Sequence, residues 1–359
     1  MAIDSPVLST LEKLGARRGE RAGWVTAAHF GDPAAEMRAV RRSVGLIDLS
    51  QIGVVRIGGK DRASFLENML TCAVKDLSTG EGRPAALLTA RGKFIAFFLL
   101  LAFPDSFLAL VERPFSGGLI RGLDHFLILE DVELVDEAER HGVIHVAGPE
   151  SGRLLSAASG RSIPHIAPGD WVELLVDGVA GPLWAAKDCS TGEEGYHLIA
   201  PQGSLAAAWK TLLAVGKPKA APVGIEPFHL LRLEAGTAWP GIDLGPEIGP
   251  IEAGLEEAVS FTKGCYPGQE VVAKMAGRGR PPKRLVGLHV EGDEAPRPGA
   301  LLLAGEKEVG RITTSGASPA LGRVIALALV ATSALEKERT LRVERAGGPR
   351  AYPVELPFR

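Results

Sequence analysis

Residues 262–270 concentrate the side chains in this sequence that are best suited to chemistry. Cys265 stands between two glycines, with Lys263 two residues before it. Glycines permit a tight turn or a close approach to a ligand, and Pro267 suits the first turn of a helix, which the sequence predicts over residues 268–276. A helix N-terminus and a nearby lysine both favour the thiolate form of a cysteine. Cys265 is therefore the candidate reactive group and Lys263 its partner; the alternative is a small buried cysteine in a turn.

Composition and charge narrow the class of protein. The 359 residues carry 40 basic and 43 acidic side chains, a net charge of −3, which does not indicate nucleic acid or a membrane as partner. Cys72, Cys189 and Cys265 lie far apart, without CxxC or HExxH, so neither a disulfide framework nor a metal site is predicted. One reactive cysteine cannot supply the four ligands of a standard iron–sulfur cluster. With no long apolar run and no signal-like N-terminus, we expect a cytoplasmic protein.

The predicted elements indicate an α+β protein in two parts. A helix is expected over residues 33–44 with Asp32 as its N-cap, and others over 59–70, 116–127, 205–214 and 224–235, interleaved with hairpin-like strands. After Pro281-Pro282 the pattern changes to five short strands separated by Gly, Pro and Ser turns, which predicts a small β-barrel. We expect a body over residues 1–280 and a barrel domain over 283–359.

The octapeptide Lys263–Glu270 resembles the K-G-C-[FY]-x-G-Q-E signature of the YgfZ-type folate-binding proteins. These proteins are relatives of the glycine-cleavage T protein, an aminomethyltransferase. Blocks similar to segments of both families occur in the same order along nearly the whole chain, among them residues 44–50, 190–195, 230–236, 249–254 and 314–319. The resemblance implies a folate-binding α+β body around a central opening, closed by a C-terminal β-barrel, with tetrahydrofolate or a folate derivative as cofactor.

The sequence departs from T protein where that enzyme handles protons. T protein has an acidic pair after a hairpin turn, whereas Ala96 and Phe97 stand at the matching positions here. An apolar pair cannot accept a proton. His197 falls at the position of a pterin-binding glutamate; if the alignment shifts by a residue, Glu193 or Glu194 is the contact instead. These losses count against glycine cleavage, and YgfZ-type proteins share them.

Within this resemblance, a pterin ring needs an apolar slot and a few convergent polar groups. The candidate folate contacts are Arg232, Glu193, Glu194, His197, Tyr266, Gln269 and Glu270. For Arg232 the alternative is an ion pair on a helix surface. The basic run from Lys274 to Arg284 is read as a solvated linker, with a site for the glutamate tail as the alternative.

The resemblance leads to a favoured hypothesis and two others. The favoured one is a tetrahydrofolate-binding protein that supports assembly or repair of iron–sulfur enzymes, including tRNA-modifying ones, through Cys265 and Lys263. Its partners would be folate and iron–sulfur client or assembly proteins. The alternative is a folate-dependent aminomethyltransferase or demethylase with a relocated acid, for which Glu193 and Glu194 are candidates. The third is a scaffold with a vestigial folate pocket.

Overall fold

The computed structural model describes residues 2–358. Within them the helices are α1 (Leu8–Lys13), α2 (Pro33–Arg42), α3 (Arg62–Met69), α4 (Arg113–Asp124), α5 (Ser151–Ser159), α6 (Leu205–Ala214), α7 (Ile225–Glu234), α8 (Pro250–Ala253), α9 (Gln269–Arg278) and α10 (Thr332–Leu335). Single 3₁₀ turns occupy Gln202–Ser204 and Glu256–Ala258.

The strands in the same range, in chain order, are β1 (Ile3–Asp4), β2 (Arg17–Arg21), β3 (Trp24–His29), β4 (Gly45–Asp48), β5 (Ile52–Gly58), β6 (Gly82–Leu88), β7 (Phe94–Ala102), β8 (Phe107–Glu112), β9 (Glu133–Asp136), β10 (His141–Ala147), β11 (Trp171–Leu174), β12 (Leu183–Lys187), β13 (Gly195–Pro201), β14 (Ala221–Val223), β15 (Lys283–Val290), β16 (Leu301–Ala304), β17 (Lys307–Ser318), β18 (Arg323–Ala331), β19 (Leu341–Val343) and β20 (Arg350–Val354).

Two large sheets form the body. One has the strand order β11-β12-β13-β10-β4-β14 and the other the order β6-β7-β8-β5-β9; a small sheet, β1-β3-β2, lies beside them. Apolar residues of both large sheets and of α7 pack in one cluster, which includes Ile47, Leu110, Ile199, Phe228 and Trp239. The cavity described below therefore lies where the two large sheets and α7 pack together.

The last part of the chain is a closed barrel with the strand order β15-β18-β17-β16-β19-β20. Its interior is filled by small and branched apolar side chains such as Leu288, Leu302, Ile312 and Ala326. The predicted α+β body with a C-terminal β-barrel is thus confirmed. The prediction of five strands was wrong: β20, which contains Pro353, closes the barrel by pairing with both β15 and β19.

Helix α7 joins the body to the barrel. Arg232 and Glu234, in its last turn, have no exposed surface. Arg232 donates a hydrogen bond to the hydroxyl of Thr314 at 3.0 Å, and Ser318 donates one to Glu234. Both hydroxyls belong to β17. The joint between α7 and the barrel is therefore buried and polar. Its two charged side chains have hydrogen-bond partners, which charges removed from water need.

Candidate functional site

A cavity of about 200 Å³ lies where the two large sheets and α7 meet. Apolar walls dominate it, and a few polar groups converge there; the lining includes Phe97, Leu110, Phe228, Trp239, Glu112, Asp188, Ser190 and His197. A larger groove of about 810 Å³ lies on the barrel, beside residues such as His289 and Tyr352, but it contains none of the site residues predicted from sequence. An apolar cavity with few convergent polar groups is typical of small-molecule sites.

Glu112 is a buried carboxyl group in this cavity. It ends β8 and is 5% exposed, and its Oε1 accepts a hydrogen bond from Nε1 of Trp239. Burial raises the pKa of Glu112 to about 7, although the charge of Arg21 and the Trp239 hydrogen bond favour the ionised form. The guanidinium carbon of Arg21 lies 5.0 Å from the centre of the Trp239 ring. A carboxyl group with a pKa near neutral can both donate and accept a proton under ordinary conditions.

Two histidines and an aspartate meet at another side of the cavity. His145 on β10 is directly opposite His197 on β13, and their ring centres are 4.7 Å apart. Nε2 of His197 lies 3.4 Å from Oδ1 of Asp188, which follows β12. Burial lowers the pKa of His145 to about 3, so its ring is neutral. Burial alone would raise the pKa of Asp188, but the imidazole of His197 and the hydrogen bonds from Ser190 hold it below its usual value.

Arg232 was predicted to contact the ring of a ligand, but its side chain is buried and does not line the cavity. Its Nη1 donates to Asp243 and to the carbonyl of Thr237, and its Nη2 donates to Thr314. Asp243 also accepts a hydrogen bond from the backbone N–H of Trp239 at 2.9 Å. The guanidinium is thus occupied behind the cavity wall, where it positions the Trp239 loop. The alternative of an ion pair is right in its chemistry and wrong in its location, since the pair of Arg232 with Asp243 is buried and not on a helix surface.

Glu193 and Glu194 lie near the cavity but are not among the residues that line it. Arg41 donates to Glu193 at 3.3 Å. Lys187 and the hydroxyl of Tyr196 both donate to Glu194, and the hydrogen bond from Lys187 is the main reason that the pKa of Glu194 is lowered. Glu194 is therefore held as a carboxylate in an ion pair. Of the predicted residues in this block, only His197 reaches the cavity.

Lys263 was predicted to be the partner of Cys265, but its hydrogen bonds go to other groups. Its ammonium group donates to the carbonyl oxygens of Leu70 and Cys72, each at 2.7 Å. These bonds fix the loop onto the segment after α3. Cys265 itself is exposed and does not line the cavity. The buried thiol nearest to this lysine is Cys72, where desolvation raises the pKa to about 11.

The rest of the octapeptide also lies outside the cavity. Tyr266 packs in an apolar cluster with residues such as Phe94 and Val272, and burial raises its pKa to about 12. Gln269 begins α9, and the exposed Glu270 pairs with Lys274 on the same helix. Pro267 lies before helix α9 and not in its first turn. Gly268, in a left-handed conformation (φ +82°), separates Pro267 from the first helical residue, Gln269. The predicted folate contacts of Tyr266, Gln269 and Glu270 find no support in their positions.

Sequence reasoning missed Glu112, Asp188 and His145. Glu112 ends an apolar strand, and an acid after such a run is a weak signal of a buried carboxyl group. His145 interrupts a second apolar strand in the same way. Neither signal indicates which residues lie opposite, since strand pairing brings together segments that are remote in the chain.

Comparisons with known proteins agree with this architecture. The GCVT N-terminal domain matches residues 7–263, and the glycine cleavage T-protein C-terminal barrel domain matches residues 283–358. An aminomethyltransferase of Rubrobacter xylanophilus is 32% identical over 99% of this chain and 93% of its own length. One of Cutibacterium acnes is 30% identical over 99% of this chain and 97% of its own. The crystal structure of aminomethyltransferase T of the glycine cleavage system from Bartonella henselae superposes with a TM-score of 0.89, at 24% identity, over 100% of this chain and 98% of that one.

The fold defines a two-part α+β protein with an apolar cavity in its body. The chain belongs to the glycine cleavage T-protein family, because that family's two domains match almost all of it. The similarities support the superfamily predicted from sequence and not the narrower YgfZ-type assignment. No helix among residues 2–358 is long and apolar enough to cross a membrane.

Proposed function

We propose that this protein is a tetrahydrofolate-dependent one-carbon transferase of the aminomethyltransferase type. Its relatives bear that name, and the cavity offers what a pterin ring needs: aromatic and aliphatic walls with a few polar groups at the edge. At about 200 Å³ the cavity is smaller than the roughly 300–1,000 Å³ that buries a whole drug-sized ligand. It therefore suits the bicyclic ring, with the remainder of the folate extending outward.

The observation that carries the proposal is the position of Glu112. In T protein the resemblance places an acid on the strand after the hairpin, where this chain has Ala96 and Phe97. Phe97 lines the cavity, and Ala96 packs in the core below it. Strands β7 and β8 are antiparallel with Phe98 opposite Val111, so Glu112 enters the cavity beside Phe97. The lost acid is thus replaced by one on the adjacent strand.

Glu112 is suited to move a proton at the bound ring. In its neutral form the carboxyl group can donate to a ring nitrogen or a leaving amine, and as a carboxylate it can take the proton back. Trp239 holds one carboxyl oxygen through its indole N–H, which leaves the other oxygen for a ligand. The apolar walls exclude water, and so they strengthen each electrostatic contact of the carboxyl group.

The test is a transfer assay with the full-length protein. Purified protein is incubated with tetrahydrofolate and N-methyl or aminomethyl donors, and formation of 5,10-methylenetetrahydrofolate is measured. We expect Glu112→Gln to lower kcat by about 10²–10⁴-fold, the usual contribution of a positioned acid or base, with little change in folate affinity by calorimetry. Glu247→Gln, at an exposed carboxylate paired with Arg311, is the matched control. Absence of both folate binding and transfer in the wild type would refute the proposal.

The exposed position of Cys265 keeps a second candidate function: support of iron–sulfur enzymes. The thiol lies just before α9, where a client or assembly protein could reach it. Complementation of a deletion strain separates the two functions. If this candidate is right, Cys265→Ala fails to restore the activity of iron–sulfur enzymes and Glu112→Gln restores it. Full rescue by Cys265→Ala would exclude a role for the thiol.

A further inference from the structure

We propose that His145, Asp188 and His197, the histidine cluster, form a binding site for a divalent first-row transition metal at the wall of the cavity. Each residue offers one ligand atom, and these atoms all lie within 4.8 Å of one another. Ligand atoms around a tetrahedral zinc ion lie roughly 3.3–3.5 Å apart, about 1.6 times the metal–ligand distance. Side-chain rotation has to bring the three ligand atoms closer together by at most about 1.5 Å to place them on one ion.

The strongest argument is the hydrogen bonding of His145. This side chain has no exposed surface, yet neither ring nitrogen has a hydrogen-bond partner. The backbone of Tyr196 lies close enough to favour the charged form of the ring, but neither ring nitrogen makes a hydrogen bond of normal geometry with it. Nδ1 of His197 is buried and unpartnered as well. Buried polar atoms without partners are costly. A neutral imidazole whose nitrogens have no hydrogen-bond partner can gain one by binding a metal.

The elements that carry the cluster hold it in place. His145 and His197 form a cross-strand pair within a six-stranded sheet, so their separation is set by the strand spacing. The backbone N–H of Ser190 donates to both oxygens of Asp188, at 3.3 and 3.1 Å. Such contacts orient a metal-binding carboxylate.

The ligand set and its location indicate an accessible metal. Two histidines and one carboxylate suit zinc or ferrous iron and leave coordination positions open. Asp188 and His197 both line the cavity, so the open positions face a bound small molecule. The sequence predicted no metal site because the three residues lie in separate segments and show none of the usual ligand spacings.

The experiment is a metal titration of the full-length protein without folate. The protein is stripped with a chelator and titrated with Zn²⁺ and with Co²⁺, whose visible absorption reports coordination by nitrogen and oxygen. We expect one ion per chain and a rise in Tm. Loss of an outer contact usually costs 10–100-fold in metal affinity, so His145→Asn and Asp188→Asn should each weaken binding by more than about 100-fold.

His289→Gln, at a barrel histidine beside Arg323, serves as the control and should bind metal as the wild type does. If His145→Asn does not fold, Asp188→Asn, at a partly exposed position, gives the same answer. A wild type that takes up no stoichiometric metal, or variants that bind as tightly as it does, would overturn the site. Neither outcome bears on folate binding or transfer, which are measured separately.

Discussion

Two clusters of buried polar residues lie beside the same cavity, and they differ in how many of their hydrogen bonds are satisfied. In the Arg232 network, formed by Arg232, Asp243, Thr313 and Thr314, the guanidinium and the carboxylate each have several partners. In the histidine cluster both nitrogens of His145 lack one. Burial alone therefore does not separate structural from functional polar residues. The two clusters differ in their unmet hydrogen bonds: a satisfied network stabilises the fold, and an unsatisfied buried group has capacity for a ligand.

The largest effect is expected from breaking the satisfied network. Arg232→Ala leaves Asp243 charged and buried without its cation, which should cost about 3–5 kcal/mol of unfolding free energy, measured by urea denaturation. Arg311→Ala removes a cation from the exposed pair with Glu247 and should cost less than about 1 kcal/mol. Equal losses of unfolding free energy in the two variants would mean that the buried network contributes no more to stability than a surface ion pair does.

Glu112 gives an intermediate effect that depends on pH. Its pKa in the folded protein is raised from 4.5 to about 7, so its contribution to stability is fully present below pH 4.5 and is lost as the pH rises through 7. The loss is on the order of 3 kcal/mol. Glu112→Gln cannot titrate, so its stability relative to wild type should increase across this window. Stability curves of the two proteins that run parallel from pH 4.5 to 8 would show that the carboxyl group is not perturbed.

The smallest effect is expected in the histidine cluster when no metal is bound. His145→Leu replaces a ring that makes no hydrogen bond by an apolar group of similar volume. In chelator-treated protein the unfolding free energy should rise by about 1 kcal/mol, because buried polar atoms with unmet hydrogen bonds are costly and the leucine has none. The same variant should abolish the rise in Tm on adding Zn²⁺. A loss of several kcal/mol without metal would show that the nitrogens have partners in solution.

Much of the architecture could be predicted from the sequence. Asp32 caps α2 as expected, with its carboxylate accepting from the backbone of Ala35, and α6 has the predicted bounds, Leu205–Ala214. These features depend on local patterns. The missed strand β20 contains a proline, which argues against a strand inside a sheet. Its backbone nevertheless pairs with β15 on one side and β19 on the other, and these pairings close the barrel.

The candidate site could be predicted much less well, for a physical reason. The octapeptide drew attention to Cys265 because its reactive side chains are crowded in sequence, yet Tyr266 packs in the core and Lys263 binds carbonyl oxygens. The cavity instead takes Glu112 from one sheet and His197 from the other. That meeting depends on strand register and sheet packing, which no local pattern encodes.

The polar joint at the end of α7 also has a consequence for biosynthesis. Asp243, which fixes the loop of Trp239, accepts hydrogen bonds from Thr313 and Thr314 on β17. Those hydroxyls leave the ribosome well after the helix does. The loop of Trp239 therefore gains these contacts only when the barrel has been synthesised, so a chain truncated at Pro281-Pro282 would contain every residue that lines the cavity and still lack the hydroxyls that hold Asp243.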